Sequence, residues 1–210
     1  MLLYFYLLGA AFFHERMRPA LAQGWRRRSF VLCRELCAEI VARSTLHIPD
    51  DALIRQVIAG LPFARKTWHA LVGEAILFGC EEMPHVQTAA PTLCCLLAPE
   101  QFQAGDVPRS AFAPIQQVQF GSRDLAFGGA FYRPDHAGYN DADDVRRLLD
   151  YLESIDPTAW QAEMLRPMDV LASPEEREEE LAFVRDWWGP LVDVYRDAAR
   201  GGCIVVCEEM

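Results

Sequence analysis

A chain of 210 residues, 51% of them apolar and 24% charged, can bury a core without help from disulfides or metal, which excludes a disordered chain. The formal net charge of −10 is uneven: residues 1–105 carry ten basic and nine acidic side chains, residues 106–210 ten basic and twenty-one acidic. An acidic half repels phosphate, which argues against nucleic acid as a partner and would attract a basic protein, although acidity also serves solubility.

The chain opens on MLLYFYLLGAAFF, an apolar run too short to span a membrane and without the basic residues that start a signal peptide. It is expected as a buried strand ending near Gly9. A short helix broken by Pro19 should follow over His14–Gln23. Ser29 is a candidate N-cap for a helix with Phe30, Cys33, Cys37, Ile40 and Val41 on its buried stripe. Pro49-Asp50-Asp51 should start another helix through Leu53, Ile54, Val57 and Ile58, ended by Gly60. A third carries Trp68, Leu71, Val72, Ala75 and Ile76 inward and stops near Gly79.

Between Glu81 and Gly129 five prolines keep long helices out. Pro91–Leu97 reads as a short buried helix or strand, Gln116–Phe120 alternates like a strand, and Gly128-Gly129 marks a tight turn or a close backbone approach. Beyond it the signals are local and strong. Asp141 with Asp144 at the third position approaches a capping box for a helix buried through Val145, Leu148, Leu149 and Leu152. Asp156-Pro157 starts a short helix. Ser173-Pro174-Glu175-Glu176 is a full capping box opening a long helix with Leu181, Val184, Trp188, Leu191, Val192, Tyr195 and Ala199 inward. Gly189-Pro190 should kink or briefly break it. Gly201-Gly202 ends it, and Cys203–Cys207 reads as an apolar strand. With no repeat and no flexible linker, residues 1–210 are expected to form one α+β domain, with a small mixed sheet that includes both terminal strands and is packed by several helices.

The order of these pieces resembles the YfbM-like family of small bacterial proteins of unknown function. The resemblance is carried by the helix Lys66-Thr67-Trp68-His69-Ala70-Leu71, the apolar segment Leu93–Leu97, the glycine turn before Phe131-Tyr132, and Val145, Leu148, Leu152 and Ile155. The terminal Tyr195-Arg196, Ala198-Ala199 and Gly201 followed by a strand completes it. It runs from Phe63 to Val206 and takes in the first strand. Residues Trp25–Gly60 form an extra helical region, and the middle segment is longer than the family's. The resemblance implies an α+β fold and leaves activity open.

Seven cysteines, most of them in apolar runs, suit a reducing cytoplasm better than a disulfide framework. Cys33, Cys37, Cys203 and Cys207 could in principle supply four thiolates to zinc, but their spacing fits buried faces of regular elements rather than zinc knuckles. No nucleotide, hydrolase or zinc-protease motif occurs, so no cofactor is expected. The densest polar cluster is Tyr132–Asp141. In an enzyme His136 would be the acid or base, Arg133 would hold a carboxylate or phosphate, Tyr132 and Tyr139 would line the site, and Asp135 would lie among them. An ordinary capped loop is the simpler reading of the same residues. A binding face would draw on Trp187, which cannot share the core squarely with Trp188, and on Asp141 and Glu179. The reading ranked first is a non-enzymatic interaction protein, such as an acidic immunity-type protein binding a basic partner. A ligand-binding protein or enzyme using the Tyr132–Asp141 loop comes second, and a metal or thiol-redox protein third.

Overall fold

Strand β1 (Leu3–Gly9) has no solvent face, because a run of apolar residues this dense can only be buried on both sides. A computed structural model describes residues 2–44, 52–80, 84–104, 107–132 and 137–209. After β1 the chain turns into a π-helical segment, Phe12–Met17, continued by α1 (Arg18–Arg27). Pro19 therefore does not break the helix. It stands in the first turn of α1, at the change of hydrogen-bond register between the two helical forms, where a residue with no N–H is tolerated. Helices α2 (Val31–Arg43), α3 (Leu53–Ile58) and α4 (Arg65–Gly79) follow, with Ser29 Oγ accepting the N–H of Val31 at 3.3 Å. The expected start at Pro49-Asp50-Asp51 lies outside the described residues. The first N–H groups of α3 are capped from another helix instead: the Glu74 carboxylate of α4 accepts from Leu53 and Ile54 at 3.2 and 3.0 Å.

Strand β2 (His85–Gln87) leads to α5 (Ala90–Leu97), α6 (Pro99–Ala104) and α7 (Pro114–Phe120). The strand expected over Gln116–Phe120 is thus a helix. Pro114 occupies its first turn, the Gln116 side chain accepts the N–H of Ala113 at 3.0 Å, and Ile115, Val118 and Gln119 are buried at helical spacing. Short strands β3 (Arg123–Asp124), β4 (Ala126–Phe127), β5 (Ala130–Phe131) and β6 (Ala137–Asn140) come next. β4 and β5 form a hairpin through Gly128 and Gly129, both at positive φ. Both readings of that glycine pair hold, since a side chain on Gly128 would also strike the Ala22 carbonyl.

α8 (Ala142–Glu153), two single 3-10 turns (Pro157–Ala159, capped by Asp156 as expected, and Ala162–Leu165), α9 (Pro174–Gly201) and β7 (Cys203–Glu209) follow. Both expected capping boxes form, at Asp141 with Asp144 and at Ser173 with Glu176. α9 is unbroken through its 28 residues despite Pro190. The proline costs one hydrogen bond, to the Asp186 carbonyl a turn earlier, without ending the helix.

The main sheet runs β2-β1-β7-β6-β3, with the two terminal strands paired from Leu3 opposite Glu209 to Gly9 opposite Cys203. Every pairing is antiparallel, where a mixed sheet was expected. Alternation along the central strands divides the interior in two. Tyr6, Leu8, Ile204 and Val206 face a first core closed by α1–α4 and the hairpin; Leu3, Phe5, Leu7, Val205 and Cys207 face a second, closed by α5, α7, α8 and α9. The chain is an α+β domain with the sheet as its middle layer. Arg109 staples the β3 edge, donating to Asp124 at 2.7 Å and to the carbonyls of Gly121 at 2.8 Å and Ala137 at 3.1 Å.

Candidate functional site

Strand β6 alternates its side chains across the sheet, and this decides where the loop cluster goes. Tyr139 faces the first core, where its ring meets Phe13 at 5.2 Å and its hydroxyl accepts from Arg18 at 3.3 Å. Asp141, at the head of α8, contacts His14 Nε2 at 2.9 Å, 127 residues away in sequence. The same carboxylate accepts the N–H of Ala142. Burial raises the Asp141 carboxyl, but the His14 hydrogen bond, the Ala142 N–H and the charges of His14 and Arg123 outweigh it, so the group is held below its ordinary range. Asp144 is lowered in the same way: burial opposes, and Arg123, bonded at 2.6 Å, and Ser122 prevail.

His14 and Arg18 stand on one wall of a groove of about 510 Å³, with Arg26 beside them and the Gly128-Gly129 turn opposite. Tethered through Nε2, the imidazole keeps Nδ1 for another partner, and the two arginines supply positive charge. That arrangement can hold an anion and move a proton at His14. Nothing in the sequence joined His14 to Asp141. The π-helical segment that carries His14 sets its direction, and a π turn has no composition signature of its own.

Tyr132 does not line this groove. It is buried, and its hydroxyl donates to Glu208 Oε1 at 3.1 Å, reaching past α4 where a Cβ on Gly73 would come within 2.8 Å of it. Tyr6 shares that buried carboxylate; burial first, then the charge and hydrogen bond of Glu208, push its hydroxyl well up. Tyr132 therefore ties the hairpin to the central strand β7 rather than forming a wall of a site. Arg133, Asp135 and His136 lie outside the described residues, so of the expected cluster only Tyr139 and Asp141 come near the groove, through their contacts with Arg18 and His14.

The binding residues expected on α9 separate from Asp141. Glu175, Glu179, Phe183, Asp186 and Pro190 are exposed and recur at three and four residues along one outer stripe. Phe183 is 41% exposed, and its ring lies 6.0 Å from that of half-buried Trp187. Trp188 turns inward against Trp160 at 5.3 Å, as the buried stripe requires. Further along α9, Asp193 and Asp197 pair with Arg196 and Arg200, whereas Glu175, Glu179 and Asp186 have no ion-pair partner among the described residues.

The cysteines do not assemble. Cys33 and Cys37 belong to the first core, Cys203 and Cys207 to the second, and the sheet lies between them. Among the described residues no group of three metal-ligating side chains occurs. Burial pushes the thiols of Cys33 up to about 11 and of Cys37 and Cys207 to about 12, which opposes the thiolate that zinc or disulfide exchange requires. No helix among the described residues is long and apolar enough to cross a membrane.

No family model matches the chain, and no curated protein does. Among solved structures it is similar to "a Protein of Unknown Function YfbM from Escherichia coli", at 15% identity and a TM-score of 0.48, over 99% of this chain and 98% of that one.

Proposed function

We propose that the chain is a protein-binding module that takes a basic partner on the outer face of α9, as an acidic immunity-type protein would. The observation that carries this reading is Phe183, solvent-exposed against Trp187 in a stripe of carboxylates without cations of their own. Aromatic side chains that exclude water are the usual anchors of an interface, and unpaired charge around them sets approach and partner choice. The same carboxylates disfavour nucleic acid. Thiols held inside the cores, such as Cys33, Cys37 and Cys207, support a reducing cytoplasmic setting, and the order of elements supports placement beside the YfbM-like family. The test is co-purification with the products of the flanking genes at low and high salt. Capture should fall steeply between about 50 mM and about 500 mM salt. It should also be lost in Phe183→Ala and Glu179→Lys. Capture that survives both substitutions would remove the α9 face from consideration.

A second reading rests on the His14–Asp141 pair: the groove beside it binds a small anion through Arg18 and Arg26. Calorimetry with inorganic phosphate, comparing the wild type with Arg18→Ala and His14→Ala, tests it. Equal heats in all three proteins would dismiss it.

A further inference from the structure

The chain is strict about its buried amides, with one exception. Asn140 is fully buried and saturated: Oδ1 accepts from the N–H and hydroxyl of Ser122, and Nδ2 donates to the Gln117 carbonyl and the Tyr195 hydroxyl. Gln119 accepts from the Cys94 thiol and donates to the Ala90 carbonyl. Gln116 closes the cap of α7, and Glu208 accepts from Tyr132. Gln87, only 2% exposed, has no hydrogen-bond partner at either Oε1 or Nε2 among the described residues, and neither has Nε2 of His85 on the same strand. Folding bears the cost of desolvating those groups with nothing in return from the protein.

The strand geometry shows where they stand. His85 pairs with Phe5 and Gln87 with Leu3, so both share the sheet face that looks toward α9, while Val86 faces the other way. On that side lies a cavity of about 80 Å³, lined by Phe5, Trp187, Pro190 and Leu191 and, along β2, by His85 and Gln87 with part of Val86 between them. This is space for several water-sized groups, enough for the amide edge of a small ring and part of the ring behind it. No carboxylate, arginine or lysine lines it, so the occupant it suits is uncharged. Apolar walls with a few convergent polar groups are the ordinary make-up of a small-molecule site.

We propose that this cavity binds a neutral, single-ring ligand bearing an amide edge, a lactam or a carboxamide. Gln87 accepts the ligand N–H at Oε1 and donates to its carbonyl through Nε2. His85 Nε2 makes a third hydrogen bond, and the ring packs on Trp187 and Pro190. The site is distinct from the acidic part of the outer α9 stripe: Pro190 belongs to both and Trp187 packs on Phe183, but Phe183, Glu179 and Asp186 do not line the cavity.

The test is ligand-observed NMR and calorimetry on the full chain with 2-pyridone, uracil and nicotinamide. Benzoate serves as the charged control and toluene as the control without an amide edge. At least one amide probe should bind at about millimolar Kd or tighter, and both controls should not. Gln87→Leu should weaken that probe at least about tenfold while raising the melting midpoint by a few degrees, roughly the gain expected when an unpaired buried amide is removed. Gln87→Glu keeps the shape and loses the donor, and should weaken the probe as well, which covers a Leu variant that misfolds. Phe183→Ala should leave probe binding unchanged whatever it does to partner capture. The proposal fails if no amide probe binds at about 10 mM, if toluene binds as well as 2-pyridone, or if Gln87→Leu retains full affinity. A crystal structure of protein soaked in the best probe that shows only water beside Gln87 would also overturn it.

Discussion

The two layers that sandwich the sheet are built by different means. Helices α8 and α9 are set by their own sequence: each begins with a side-chain cap and a reciprocal acidic partner, and each carries arginines one turn from its acids, as in Asp143–Arg146 and Asp193–Arg196. Among α1–α4 the one local side-chain contact at a helix start is the 3.3 Å bond from Val31 N–H to Ser29 Oγ, and none has a capping box. What holds that layer is long-range. Trp68 donates its indole N–H to the Leu21 carbonyl at 3.2 Å and packs on Trp25 and Phe127, Phe30 meets Phe63, and Glu74 caps α3 from outside. Charge follows the same division. The groove on the first layer is lined by His14, Arg18 and Arg26, whereas the outer stripe of α9 is acidic. A layer specified locally tolerates the loss of one distant contact; a layer specified by packing does not.

Trp68→Ala should produce the largest effect, a loss of about 3–5 kcal/mol in chemical denaturation, because it opens a cavity where three elements meet and strands the Leu21 carbonyl. A loss below about 1 kcal/mol would mean that the first layer is not held by that cluster. Asn140→Ala comes next at about 3 kcal/mol, since Ser122, Gln117 and Tyr195 would each be left short of a buried partner. It joins β6 to the second core, so it should destabilise without disturbing tryptophan packing in the first, which near-UV circular dichroism reads. Ser173→Ala should cost only about 1 kcal/mol, the ordinary worth of an N-cap. A much larger value would put α9 in the same class as α1–α4.

The smallest effect is in pH dependence. Asp141 has a carboxyl held below its unfolded value, so its contribution to stability is complete above the unfolded pKa of about 4 and is lost as pH falls through the lower folded value. Asp141→Asn should flatten the acid limb of the stability curve below about pH 4. An acid limb identical to that of the wild type would show that the His14 contact contributes nothing to folding.

What could be read in advance divides along the same line. Ser173-Pro174-Glu175-Glu176, Asp141 with Asp144, and the glycines closing α9 were legible because each signal and its effect lie within a few residues. Gln116–Phe120 was not, because so short a run, alternating only from Gln117 on, fits a strand and a helical turn alike, and the proline two positions before Gln116 decided it. Tyr139 and Asp141 did reach a candidate site, but their partners His14 and Arg18 come from the other end of the chain.

By itself the sequence determined an α+β domain with buried terminal strands, an acidic C-terminal half, and two capped helices, since composition, run length and local hydrogen bonding act over short distances. Tertiary structure alone decided that the sheet is wholly antiparallel, that the cysteines divide between two cores, that His14 meets Asp141, and that Gln87 faces a cavity without a partner. Each of these depends on which residues the fold makes neighbours, and spacing along the chain does not encode that.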